Sequence, residues 1–321
     1  MSHSTSFMPV ITGSTDVYLI LGDPVEQVRA PETFNPLFSR FGIDAVLVPV
    51  LVAPENLRAF VKTAFLAKNI KGLWATMPHK EAMVGLLETC SELGQIAGAV
   101  NAVRRNALGQ LEGGLFDGEG LLASLAYFNM AYTGKRVLIL GAGGAAAAIG
   151  ASLALQRNAG AAAELAFYNP VLDTAQALAT RIAAATGCFA HAVTSNDPAG
   201  FDLVINASPM GMKHTDQLPC DVSRMESHAA VMDIVMKNQP TPWVRAARSR
   251  GLRAQPGFEM LIQQTHLYLD FFGFYDAAQM VRRETNFLRE QIYPAALQDE
   301  ICRPVQASSP SVNIPVPFNY F

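Results

Sequence analysis

Charge is scarce in this 321-residue chain: only 16% of its residues are Asp, Glu, Lys or Arg. Lys plus Arg number 24 against 27 Asp plus Glu, so the two signs nearly cancel. That balance gives no electrostatic footprint for nucleic acid or for an anionic membrane surface. Arg104-Arg105 and the spaced arginines from Arg245 to Arg253 are short, interrupted runs that read as solvated faces. Cysteine is also rare. Cys90, Cys188, Cys220 and Cys302 stand far apart with no CxxC pair, and the six histidines show no metal-ligand spacing. A reduced protein without disulfides or a bound metal is the expectation. Met1 to Gly13 lacks the basic start and long apolar centre of a secretory leader, so a cytoplasmic location is expected. One stretch, Val137 to Leu155, carries no charge for 19 residues, near the length of a bilayer span. It is built of Ala and Gly and breaks at Gly141-Ala142-Gly143-Gly144, so it reads as strand, loop and helix, not as a membrane segment.

What is present is apolar patterning. Half of the residues are hydrophobic, enough for two compact domains. Val17–Leu21, Ala45–Val50 and Ile70–Ala75 read as strands. Pro31–Phe41, Pro54–Lys68 and Pro78–Glu88 read as helices, each with Pro in the first turn, where its missing N–H costs nothing. Gly98–Arg104 and Gln110–Leu115 form a hairpin pattern across Asn106 to Gly109. A second series begins at Lys135, with strands at Arg136–Leu140, Leu165–Tyr168, Leu203–Asn206 and Val231–Val235. From Gly257 the pattern is helical, through Leu261–Phe272 and Asp276–Gln291. Alternating strands and helices predict an α/β fold with mainly parallel sheets. The predicted division is residues 1–118 with 254–300 as one domain, 119–253 as the other, and a Pro-rich tail from 301 to 321, with a cleft between the domains.

Gly141, Ala142, Gly143, Gly144, Ala145 and Ala146 fit a GxGxxG/A loop between an apolar strand and an Ala-rich helix. Glycines there allow a tight turn and the close approach of a pyrophosphate, which sits on the N–H groups that open the helix. This predicts a Rossmann-type dinucleotide-binding domain. At the end of the next strand the chain reads Tyr168-Asn169-Pro170-Val171-Leu172-Asp173, with no basic residue between Arg157 and Arg181. A ribose 2′-phosphate wants Arg or Lys, whereas a free 2′-OH wants an acceptor such as Asn169 or Asp173. NAD is the favoured cofactor, with NADP left open to a distant arginine.

Eight short strings in register resemble the shikimate dehydrogenase family over roughly residues 17 to 290. They include Leu21-Gly22-Asp23-Pro24-Val25, Ala75-Thr76-Met77-Pro78-His79-Lys80, Gly98-Ala99-Val100-Asn101-Ala102-Val103 and Phe116-Asp117-Gly118. The others are the loop at Gly141, Ile205 to Gly211, Met232-Asp233-Ile234-Val235 and Gly257 to Gln264. The resemblance implies reversible hydride transfer between a nicotinamide and a ring carbonyl or hydroxyl of shikimate, quinate or a related cyclic compound. It makes Lys80 and Asp117 the catalytic pair, and chemistry agrees: a ketone gaining hydride builds charge on oxygen that a held ammonium can neutralise. It also assigns Thr76, Asn101 and Gln264 to the ring hydroxyls, and Asn206, Ala207, Ser208 and Ile234 to the cofactor.

The chain departs from the family at the acid end of the substrate. The usual HSxSP string reads Gln27-Val28-Arg29-Ala30-Pro31, and the usual tyrosine after Ile234 is Met236. Two usual asparagines are Trp74 and Leu115. Lost donors remove both affinity and specificity. Either Val28, Ala30, Trp74 and Met236 form a more apolar wall for a different substrate, or Arg29 or His79 binds the acid group instead. The expected partner is a small molecule bound to a monomer or homodimer, with no nucleic acid and no membrane. A non-catalytic nucleotide- or metabolite-binding regulator is the alternative reading.

Overall fold

A computed structural model describes residues 10–155 and 160–301. The Pro-rich tail after residue 301, Cys302 among it, and residues 1–9 fall outside these residues.

The chain opens with β1 (Asp16–Gly22), α1 (Ala30–Arg40), β2 (Ala45–Leu51), α2 (Leu57–Ala64), β3 (Ile70–Ala75) and α3 (His79–Val84). It continues through β4 (Thr89–Cys90), α4 (Glu92–Ala97), β5 (Ala102–Arg105), β6 (Leu111–Gly114) and α5 (Asp117–Tyr127). The first sheet has strand order β2-β1-β3-β5-β6-β4. β1 runs parallel to β2 and β3, whereas β5 is antiparallel to both β3 and β6. The hairpin therefore lies inside the sheet, with β4 beyond it.

The second series is β7 (Arg136–Leu140), α6 (Gly144–Ala154), β8 (Glu164–Tyr168), α7 (Leu172–Thr186), β9 (Ala190–Val193) and β10 (Leu203–Asn206). It ends with β11 (Ala230–Asp233), α8 (Pro242–Ser249) and β12 (Arg253–Pro256). Every pairing in this sheet is parallel, in the order β12-β11-β10-β7-β8-β9. That is the doubly wound arrangement, and the order reverses between β7 and β10, where such sheets bind ligands at the carboxyl ends of the strands. The chain then returns through α9 (Phe258–Phe271), α10 (Tyr275–Arg283), α11 (Asn286–Ile292) and α12 (Gln298–Ile301).

Several expected boundaries need correction. β12 belongs to the second sheet, so residues 254–256 lie there and the chain leaves that sheet at Gly257, not at 253. The expected helix from Pro54 is a 3-10 turn followed by α2, and ends at Ala64. The expected helix Asp276–Gln291 is two helices, because Glu284 is extended and breaks the run. α3 stops at Val84, well short of Glu88.

Core packing places the site. Nearly all of α6 is buried because its Ala and Gly residues let neighbours approach closely. A Cβ on Gly150 would come 2.6 Å from the Phe167 ring, and one on Gly118 would come 2.2 Å from the Ala148 carbonyl oxygen. A Cβ on Gly120 would meet the Met260 carbonyl oxygen at 2.6 Å and Gln264 Cβ at 2.9 Å. Small residues thus clamp α5 between α6 of the second unit and α9 of the first. Arg181 on α7 adds a tether by donating to the carbonyls of Ile96, at 3.0 Å, and Ala97 at the end of α4.

Candidate active site

Two strand ends and one hairpin converge on the site. The Ala75 N–H donates to the Asn101 carbonyl at 2.9 Å, and the Asn101 N–H donates to Gly114 at 2.9 Å. The Asn101 side-chain oxygen accepts the Phe116 N–H at 3.1 Å. The Lys80 carbonyl accepts the Val100 N–H at 3.0 Å. One short segment, Val100-Asn101, therefore fixes the backbone beside both Lys80 and Asp117.

The two side chains meet. Lys80 Nζ donates to Asp117 Oδ2 in an ion pair whose side chains are only 15% and 7% exposed. At that burial water screens the pair poorly, so the attraction is stronger than in a surface salt bridge. Three buried polar atoms nearby in the fold have no hydrogen-bond partner among the described residues: Asn101 Nδ2, Gln264 Oε1 and Trp74 Nε1. Buried polar atoms are nearly always satisfied, so such a group needs an explanation, and a polar ligand is one. Thr76 follows the same strand end, and its carbonyl accepts the His79 N–H at 2.8 Å.

Tyr268 was not singled out by sequence. It lies one helical turn after Gln264 on α9 and is buried. Burial, and then the Asp117 charge, push its phenol well above its ordinary value. The i,i+4 spacing from Gln264 was the available signal.

The four residues expected to form an apolar wall share one hydrophobic cluster. Ala30 and Trp74 are buried in it, and Val28 and Met236 pack against it; Met236 also touches the core of the second unit. Trp74 is stacked on Tyr268 (centroids 5.3 Å, 14°) and Phe272 (4.3 Å, 29°). Leu115 is buried in the second-unit core. His79 is buried, and its Nε2–H donates to the Val52 carbonyl at 2.8 Å, which removes it as an acid-binding group. Arg29 Nε sits 2.8 Å from Glu32 Oε2. Arg29 lines a cavity of about 370 Å³ with Gln27, Met236, Lys237, Gln239 and Phe258.

The glycine loop lies at the reversal point of the second sheet. Gly141 has φ +117°, and its N–H donates to Tyr168 at 2.8 Å. A Cβ there would come 2.7 Å from the Ala207 carbonyl oxygen, which ties the loop to the end of β10. Ala142 is buried, Ala145 is half-buried, and a Cβ on Gly143 would meet open space. This open cradle at the start of α6 fits a pyrophosphate. A Cβ on Gly144 would instead lie 2.9 Å from Lys80 Cβ. The loop of the second unit thus touches the lysine of the first.

Asn206 organises the adjoining loop. Its amide donates to the Met210 carbonyl and to Asp233 Oδ1, each at 2.9 Å. Its oxygen accepts the Ser208 N–H at 3.1 Å and the Ser208 hydroxyl at 2.6 Å. The Ile234 N–H donates to the Asn206 carbonyl at 3.1 Å. Asn206 is therefore spent on the protein, which leaves Ala207 and the loop backbone to face a ligand. Asp233 is fully buried; burial pushes its carboxyl up to about 6, against the opposing bonds from Thr241, Val235 and Asn206. Asn169 lies just past the end of β8 and Asp173 in the first turn of α7; Asn169 donates to the Val171 carbonyl at 3.0 Å and Asp173 is exposed. Among the described residues no group of His, Cys, Asp and Glu is placed to hold a metal ion, and no helix is long and apolar enough to cross a membrane.

Comparison with known proteins agrees with this architecture. A family model described as the shikimate dehydrogenase substrate binding domain matches residues 20–103. A shikimate dehydrogenase (NADP(+)) of Rubrobacter xylanophilus is 35% identical over 261 residues, covering 80% of this chain and 90% of the relative. A crystal structure of a shikimate dehydrogenase in complex with NADP+ superposes with TM-score 0.74 at 26% identity, over 89% of this chain and 98% of the other. Shikimate 5-dehydrogenase of Listeria monocytogenes, in complex with shikimate and NAD, gives 0.73 at 25% identity over 86% and 99%. The ligand-free 5-ketofructose reductase of Gluconobacter sp. strain CHM43 gives 0.71 at 26% identity over 85% and 99%. The paired lysine and aspartate, the glycine loop at the sheet's reversal point and these likenesses together place the chain in the shikimate dehydrogenase family of nicotinamide-dependent oxidoreductases.

Proposed function

We propose that Lys80 and Asp117 form the proton relay of a reversible dehydrogenase acting on shikimate, quinate or a related cyclic compound. The observation that carries this reading is the shielded Lys80–Asp117 pair lying against the dinucleotide loop at Gly144. A nicotinamide, when bound, supplies or accepts the hydride. The Lys80 ammonium then donates a proton to the ring oxygen as negative charge develops there, and takes it back in the reverse direction. Asp117 holds the ammonium in place and balances its charge. Asn101, Gln264 and Thr76 offer hydrogen bonds to ring hydroxyls, and the orphaned buried atoms of the first two support that role. Residues 10–118 with 257–301 serve as the substrate domain, and 119–256 as the dinucleotide domain.

At the acid end, the loss of His79 to Val52 leaves Arg29, with Lys237, as the cations that line the cavity beside Met236. Glu32, the partner of Arg29, is exposed, so exchanging that pair for a substrate acid costs little. NAD is the preferred cofactor in this reading. No basic residue among the described residues stands between Gly160 and Arg181, and the Arg181 guanidinium is committed to α4. The named relatives include enzymes of either cofactor, and a neighbour whose named substrate is a ketosugar, so the test must span both.

The test is a panel of shikimate, quinate and neutral cyclic polyols, each with NAD and NADP, followed at the reduced-nicotinamide absorbance. Turnover should fall on the order of 10²–10⁴-fold in Lys80→Ala and in Asp117→Ala. Undiminished turnover in both variants would remove the relay from the mechanism.

A further inference from the structure

The geometry points to Gly144 as a positioning residue for Lys80, one that makes the dinucleotide loop and the proton-relay lysine a single mechanical unit. The inference rests on the function proposed above and names a part of the same site that a cofactor-binding role for the glycine does not include.

Two glycines stand side by side in the loop with different surroundings. A Cβ on Gly143 would meet nothing within 4 Å. A Cβ on Gly144 would lie 2.9 Å from Lys80 Cβ, 3.3 Å from Cδ and 3.6 Å from Cγ. The bare backbone at the start of α6 therefore rests along the aliphatic stem of the lysine, across the boundary between the two units. Neither side can give way cheaply. Lys80 is pinned by its carbonyl bond to Val100, by its ion pair with Asp117, and by its buried neighbour His79. α6 is pinned because Ala146 to Ala154 are all buried and the Ala148 carbonyl lies against Gly118. A phosphate group seated on the first N–H groups of α6 would press on the same stretch of backbone that shapes the lysine's rest. Occupancy of the loop thus sets where the proton donor sits.

Substituting Gly144 by Ala forces a displacement of about 0.5 Å to restore an ordinary contact of 3.4 Å. A misplacement of about 1 Å costs about 100-fold in a positioned reaction, so half of that costs about tenfold in kcat. Gly144→Ala should lower kcat by about this factor, with the dinucleotide KM within about threefold of wild type, and should displace the pH profile of kcat. Gly143→Ala, which fills the cradle without touching Lys80, should act mainly on the dinucleotide instead, raising its KM by a larger factor than it changes kcat.

A second measurement needs no variant at the glycine. In the wild-type chain labelled with ¹³C-lysine, the Lys80 Cε resonance, assigned with K80R, should move on titration with ADP-ribose, which fills the loop without a nicotinamide. A folded Gly144→Ala with wild-type kcat overturns the inference, as does parallel behaviour of the two glycine variants or a Lys80 resonance that ignores bound ADP-ribose. Failure of every substrate to turn over in wild type would defeat the proposed reaction instead, and the resonance would still decide the positioning claim.

Discussion

Removing the Arg289 guanidinium should destabilise the protein more than most single substitutions, because of what it leaves behind. Glu259, at the first turn of α9, is fully buried. Its carboxylate accepts from Arg289 Nε at 3.0 Å and from Nη2, from the Gln263 amide at 2.6 Å and from the Tyr293 hydroxyl at 3.2 Å. Arg289 also stacks on the Tyr127 ring at 4.3 Å, so one side chain joins α11, α9 and α5. In Arg289→Met the carboxylate keeps its neutral donors but loses the opposing charge. Breaking a buried pair in this way costs about 3–5 kcal/mol. At roughly 2–4 °C per kcal/mol for a domain of this size, the melting temperature should fall by about 10 °C. The double variant Glu259→Leu with Arg289→Met should recover most of that loss, since no charge is left buried. Scanning calorimetry on the three chains tests this. A single variant that melts within about 2 °C of wild type would refute the reasoning, and so would a double variant no better than the single.

Two further outcomes are expected. Asp233 has its proton affinity raised by burial to about 6, above the unfolded value of 3.8. The folded state then holds the proton more tightly than the unfolded state, so this carboxyl favours folding below about pH 4 and loses up to roughly 3 kcal/mol of that contribution as pH rises through 6. Denaturant titrations between pH 4 and 7 should show that decline, and Asp233→Asn should flatten it; an unchanged slope in the variant would assign the effect to other groups. Gly118→Ala should be poorly tolerated, because the new methyl would meet the Ala148 carbonyl and the Ser152 hydroxyl at 2.2 Å. Since Gly118 follows Asp117, its soluble expression or kcat should fall sharply, and a fully active, stable variant would show that α5 and α6 can part.

Much of this arrangement is legible in the residues themselves. β3, β7 and β10 form over the same residues that the apolar runs Ile70–Ala75, Arg136–Leu140 and Leu203–Asn206 mark out, since buried parallel strands read as unbroken hydrophobic stretches. Strands at the margins are not legible for the opposite reason. β9 is Ala190-His191-Ala192-Val193 and β12 is Arg253-Ala254-Gln255-Pro256; neither carries a run or a clear alternation, and each is made a strand by its neighbour. At the site, Lys80 and Asp117 are brought together as the motifs suggest. The part played by Trp74 is different. Its identity suggests a wall, but its depth depends on Tyr268 and Phe272, two residues nearly two hundred positions away that stack on it. The fate of His79 is equally non-local, being decided by the Val52 carbonyl. Contacts of that kind are invisible until the chain is folded.

The close passage of α5 and α9 at Gly120 has a consequence for how the chain was assembled and how it can be rebuilt. The outgoing thread leaves the first sheet along α5, and the returning thread re-enters it along α9, touching where Gly120 meets Met260. The second sheet is therefore a cassette hung from two adjacent attachment points, so a different nucleotide module could be spliced between them without rerouting a strand of the first sheet.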